Sequence, residues 1–115
     1  MEIQRSDVVI VELNPTRGSE QRGVRPCLVV QNDVGNQYAP TTIVAPFTTE
    51  YDLDNTYPFQ VEVKASDSSL NQDSVALLNQ IRTVDIDERV RRVVGSLSST
   101  KMAKVDHAIK ESLGL

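Results

Sequence analysis

The sequence predicts a mainly β protein: a small, strongly bent sheet or partly open barrel, closed by one C-terminal α-helix. Three observations carry this. Short β-branched runs separated by turn residues recur from Asp7 to Leu97. Only Ser99–Leu113 shows helical periodicity. At 115 residues the chain can fill one modest core, so 1–115 is read as a single domain.

Asp7–Leu13 (DVVIVEL) is the first strand, buried on at least one face. Asn14-Pro15 ends it, because proline has no N–H for a ladder and asparagine favours turns. Residues 18–26 follow as a loop: Gly18 and Gly23 would each cost roughly 1 kcal/mol in a helix interior. Pro26 also pushes Arg25 toward extended backbone. Pro26–Gln31 is the second strand and Asn32–Asn36 a turn cluster. Thr41–Phe47 is the third strand, where Pro46 marks an edge or a bulge. A polar, acidic loop spans 48–57. In Tyr57–Val63 the apolar residues Phe59, Val61 and Val63 alternate with polar ones, which gives that strand one wet face. After a polar connection over 64–73, Ser74–Leu78 and Gln80–Val84 are two short strands or one strand broken near Asn79. Arg92–Leu97 is the last strand. In the helix, Met102, Val105, Ile109 and Leu113 share a stripe; Ser98 or Ser99 is its N-cap and Gly114 its left-handed C-cap. His107 lies off the stripe, in solvent.

Several function classes are excluded early. No apolar run approaches the ~20 residues of a membrane span, and the N-terminus is acidic where a secretory signal is basic. A cytoplasmic protein is the expectation. Cys27 is the only cysteine and His107 the only histidine, so no internal disulfide or zinc cluster is expected, and no cofactor. Cys27 in an apolar strand reads as core. Neither it nor Ser19 or Ser74 has a nearby histidine base, which speaks against a serine or cysteine hydrolase. The glycines do not form a phosphate-binding loop. The net charge of −4 argues against a nucleic-acid partner. Its distribution is more informative: residues 1–30 carry four basic and four acidic side chains, 31–79 one against seven, and 80–115 seven against five. Any basic surface must therefore combine the two ends of the chain.

The loop Gly18–Pro26 concentrates an acid, hydroxyl and amide groups and two arginines. On composition alone it is a solvated loop in which Arg25 pairs with Glu20. Strand geometry allows a second role for these residues. If the strands at 25–31 and 41–48 pair antiparallel, the entrance of one meets the exit of the other, and Arg25 shares a rim with Thr48 while Glu20 hangs above. A guanidinium, a hydroxyl and a carboxylate without metal ligands suit phosphodiester chemistry. Arginine offers a planar fork to phosphate oxygens and stabilises charge built up in the transition state. Glutamate can accept a proton from a ribose 2′-hydroxyl.

The residues themselves resemble a family. The run Asp7–Pro26 (DVVIVELNPTRGSEQRGVRP) is similar to the N-terminal signature of MazF/PemK-type toxins of toxin–antitoxin systems. The likeness continues through Leu28–Asp33, the strand leading to Thr48, and Asp73–Asp85 with its QIRT motif. The resemblance implies an SH3-like, partly open barrel with a C-terminal helix, acting as a homodimer. It implies metal-independent, sequence-specific cleavage of single-stranded RNA, giving a 2′,3′-cyclic phosphate and a 5′-hydroxyl end, under restraint by a cognate antitoxin. Arg25 and Thr48 would be the catalytic pair, and Glu20 matches a position proposed as general base in some members. Ser19, Gln21, Asn79, Gln80 and Arg82 would contact RNA, whose unstacked bases expose their hydrogen-bonding edges; each has a loop-ordering role as its alternative. Two departures stand out: Ser6 where the family usually has glycine, and Arg22 at a loop position often small or uncharged.

Two other classes compete. Gyrase-poisoning toxins share this architecture but attack a protein. A non-catalytic SH3-like module would line a peptide groove with aromatics, whereas Tyr38, Phe47, Tyr51, Tyr57 and Phe59 fall mostly in or beside loops.

Overall fold

In the computed structural model, which describes residues 1–115, seven strands form one antiparallel sheet that does not close on itself. The strands are β1 (Asp7–Glu12), β2 (Val24–Val29), β3 (Thr41–Thr48), β4 (Gln60–Val63), β5 (Ser74–Leu77), β6 (Arg82–Asp85) and β7 (Val90–Ser96). Three α-helices intervene or follow: α1 (Asp33–Tyr38), α2 (Ile86–Arg89) and α3 (Ser99–Leu113). The spatial order is β4-β5-β3-β2-β1-β7, with β6 also on β3. The expected mainly β, partly open barrel with a C-terminal helix is borne out.

β1 and β2 read as nearly continuous apolar runs because both of their faces are covered. Val8 and Leu28 join Ala45, Phe47, Val61, Val63, Ala76 and Leu78 under Met102, Val105 and Ala108 of α3. On the opposite face Val9, Val11, Leu13, Cys27 and Val29 pack with Val44, Val84, Ile86 and Val90. The sheet ends approach each other where the turn at Ser68 and Ser69 lies against Gly95 of β7. A side chain at Gly95 would meet Ser69 at 2.9 Å and the Ser68 carbonyl at 3.0 Å.

β3 is the hub, since β2, β5 and β6 all pair with it. Pro46 therefore lies in an interior strand, not at an edge. Val30 N–H donates to Ile43 O, and by antiparallel alternation the next mutually bonded pair is Leu28–Ala45. The proline nitrogen consequently faces away from β2. On that other side β3 changes partner, from β6 at Thr41–Val44 to β5 at Phe47–Thr48. The missing N–H falls in the gap between the two partners.

Local departures from expectation have local causes. Asn32 starts a helix where a turn cluster was expected: its side chain caps α1 by accepting from Gly35 N–H at 2.8 Å. Asp85 caps α2 in the same way through Glu88 N–H. Ser98 and Gly114 cap α3 as anticipated, with Gly114 at φ 73°. The buried face of α3 is Met102, Val105 and Ala108, with Ile109 packed beside it. Leu113, placed on that face by periodicity, is 54% exposed. His107 is exposed, with its Nε2 3.6 Å from Glu111.

Ser6 has φ 83°. Its N–H donates to Val29 O and its carbonyl accepts from Leu97 N–H, so the conformation is held from both sides. An L-residue in the left-handed region costs roughly 1–2 kcal/mol. Ser6→Gly is expected to raise stability by up to about 1 kcal/mol, after the entropy glycine loses on folding. A higher urea midpoint with an unchanged slope would show it.

Candidate active site at the β2–β3 rim

β2 and β3 run antiparallel in the register Val29–Val44, Leu28–Ala45, Cys27–Pro46. Two residues further, the same register carries Arg25 opposite Thr48. Both side chains leave the face that holds Cys27 and Val44, at the open end of its core. Arg25 Nη1 donates to Phe47 O at 3.2 Å, which ties the guanidinium to the residue before Thr48. Thr48 is 8% exposed. Its Oγ1 accepts from Glu50 N–H at 3.1 Å, leaving its own O–H free to donate.

The loop between β1 and β2 stands over this rim. Gly18 (φ 57°) and Gly23 (φ 80°) take the left-handed backbone that reverses it. Arg25 holds the loop from below, with Nε donating to Arg22 O at 2.9 Å and Nη1 to Gln21 Oε1. Gln80, from the turn between β5 and β6, holds it from across. Its Oε1 accepts from Gln21 N–H at 2.8 Å and its Nε2 donates to Ser19 O at 3.3 Å. Between loop and turn lies a cleft of about 390 Å³, lined by Ser19, Glu20, Gln21, Asn79, Gln80 and Arg82, with Leu13, Pro46 and Ile81 as its apolar floor.

All eight residues singled out from the sequence thus gather at one rim, Arg25 and Thr48 beside the cleft and the other six around it. Their occupations differ. Ser19 and Asn79 are exposed, and their side chains have no partner within the protein. Arg82 reaches back to Leu13 O at 2.9 Å. Glu20 is exposed and turned onto Arg17 N–H. It forms no ion pair with Arg25, so the pairing expected of a purely solvated loop is not formed.

Arg89 was not anticipated. Its Nη1 donates to Glu12 O at 3.0 Å and Asn14 O at 2.6 Å, fixing the exit of β1 beside Arg82. The cations at this end come from both ends of the chain, as the charge distribution required. Cys27 lies beneath them. Burial pushes its thiol up to about 12, even though Arg25 and Arg82 pull the other way. It is a protonated core residue, not a nucleophile.

The fold and rim together define a small β-rich protein with an arginine-bearing cleft suited to an anionic polymer. A family model, the PemK-like, MazF-like toxin of type II toxin–antitoxin systems, matches residues 4–113. An endoribonuclease MazF of Staphylococcus epidermidis is 46% identical over 113 residues, spanning 98% of this chain and 92% of its own. The structure of an endoribonuclease in complex with its cognate antitoxin from a mycobacterial species superposes with a TM-score of 0.81 at 25% identity, covering 98% of this chain and 96% of that one. MazF from Deinococcus radiodurans gives the same TM-score at 22% identity, over 100% and 99% of the two chains, and shares the fold. The chain belongs to the PemK-like, MazF-like toxins of type II toxin–antitoxin systems.

Proposed function

We propose that this toxin is a sequence-specific, metal-independent endoribonuclease that cuts single-stranded RNA and is inhibited by a cognate antitoxin. The observation that carries the reading is the placement of Arg25 and Thr48 on one rim, beside a cleft lined by Glu20 and five other polar residues. The names of the 46% identical relative and of the mycobacterial complex support it.

In this reading RNA lies along the cleft with a phosphate at the rim. Glu20 takes the proton of the ribose 2′-hydroxyl, which attacks phosphorus in line. Arg25 stabilises the charge that builds on the non-bridging oxygens, while the Thr48 hydroxyl donates to one of them and sets the phosphate in place. The P–O5′ bond breaks and the leaving oxygen takes a proton from water. The products are a 2′,3′-cyclic phosphate and a 5′-hydroxyl end, with no step assigned to a metal or cofactor. Ser19, Asn79 and Arg82 contact bases or backbone and set sequence preference, while Gln21 and Gln80, hydrogen-bonded to each other, order the loop. The 115 residues act as one domain, in the cytoplasm and as a homodimer, and the antitoxin covers the basic rim.

A long, weakly structured RNA incubated with the protein in excess EDTA tests this. Discrete fragments bearing 5′-hydroxyl ends are expected. A diverse RNA set left intact by folded protein would remove the reading and redirect attention to a protein target.

A further inference from the structure

We propose that Gln21 is the positioning residue of this site, locking the Arg25 guanidinium so that a single nitrogen, Nη2, is presented to the phosphate. The proposal deepens the ribonuclease reading and rests on it for its kinetic arm. A guanidinium has five N–H donors. Nε is used by Arg22 O, and Nη1 is used twice, by Gln21 Oε1 and Phe47 O. Only the two Nη2 hydrogens lack an acceptor.

Of the three locks, two are backbone carbonyls and only Gln21 is a side chain. Gln21 is itself held. Its N–H donates to Gln80 Oε1 at 2.8 Å, and Gln80 Nε2 grips Ser19 O on the other side of Glu20. Arg22 Nη2 closes the same loop onto Gly18 O at 3.0 Å. A chain of hydrogen bonds thus runs from the β5–β6 turn through Gln80 and Gln21 to Arg25. Gln80 has both ends of its amide occupied in this way, which makes it an anchor for the loop. Gln21 has its acceptor occupied and its Nε2 open. An arginine without such restraint spreads over many rotamers, and only those presenting the fork correctly stabilise the transition state.

The kinetic test compares Gln21→Ala, Gln21→Glu and Gln80→Ala on a short RNA. Gln21→Ala is expected to lower kcat by about 10- to 100-fold, the range for losing a hydrogen bond to a charged group, with KM and the cleavage sites unchanged. Gln21→Glu keeps the acceptor oxygen and restores most of that loss, and Gln80→Ala lowers kcat less than Gln21→Ala does. In an Arg25→Ala background Gln21→Ala should add nothing, since residues acting as a unit are not additive. Changed cleavage sites, or a raised KM with kcat intact, would make Gln21 a base contact and overturn the proposal.

A second measurement does not depend on RNA: hydrogen exchange at Arg25 Nη1–H, the group that Gln21 holds, followed by NMR. Gln21→Ala is expected to speed exchange by about tenfold or more, and unchanged exchange overturns the lock. If the wild type cuts no RNA, the ribonuclease reading fails by itself and this measurement still decides the proposal.

Discussion

Arg25→Ala is expected to slow RNA cleavage by about 10²- to 10³-fold, the usual effect of removing one donor aimed at developing negative charge. The fold should survive. Arg25 is only half-buried, and the three acceptors it leaves behind, Gln21 Oε1, Arg22 O and Phe47 O, lie at the rim within reach of water. The stability cost is then on the order of 1 kcal/mol, the net value of an ordinary hydrogen bond. Arg25→Lys should recover little, because an ammonium keeps the charge but cannot satisfy Arg22, Gln21 and Phe47 while presenting a further donor pair. Single-turnover cleavage beside a thermal melt measures both quantities. A variant that cuts within about threefold of wild type, far from the loss expected of a missing donor, would detach Arg25 from the chemistry.

The largest effect on stability is expected at Phe47. Its ring is 2% exposed and packs in the cluster that joins β3 and β5 to α3, with Ala76 directly across the ladder. Small neighbours such as Ala45 and Ala76 cannot swing into the space a truncation leaves. Phe47→Ala should therefore cost about 3–5 kcal/mol, transfer and cavity terms together. That is a large share of the roughly 5–15 kcal/mol that holds a domain folded. The substitution leaves the Phe47 carbonyl that receives Arg25, so activity should fall with the folded fraction and not by a separate loss at the site. Chemical denaturation gives the first quantity. Cleavage normalised to folded protein gives the second.

What could be read in advance follows from the range of the interactions concerned. The strands β1 to β3 were legible because β-branched runs bounded by Asn14-Pro15, Gly23 and Asn32 leave few alternatives. Their antiparallel pairing was enough to bring Arg25 beside Thr48. Caps were legible at Ser98 and Gly114 because capping is local. The same chemistry misled at Asn32, where a side chain that favours turns also starts helices. At Pro46 the sequence predicts an edge or bulge, because it shows the missing N–H but not a strand that exchanges partners around it. Leu113 shares the helical period of Met102 and Val105 yet is exposed, because a period fixes which side of a helix is apolar and not how far along the helix the contact extends.

The details of the site were the least legible. Gln80 meets Gln21 across 59 residues and Arg89 meets Asn14 across 75, through side chain to backbone bonds that leave no periodicity and no motif. Glu20 and Arg25, close in sequence and opposite in charge, invited a pairing. The loop instead turns the carboxylate onto Arg17 N–H and gives the guanidinium to carbonyl and amide oxygens.

The most direct test of the account is a short RNA carrying a single 2′-deoxy nucleotide on the 5′ side of the cleaved linkage, assayed in EDTA against the all-ribose RNA. Cleavage at that linkage should become undetectable while the modified strand still competes for binding at nearly the affinity of the original. Cutting of the deoxy linkage at a comparable rate would contradict attack by the 2′-hydroxyl, and with it the roles given to Glu20, Arg25 and Thr48.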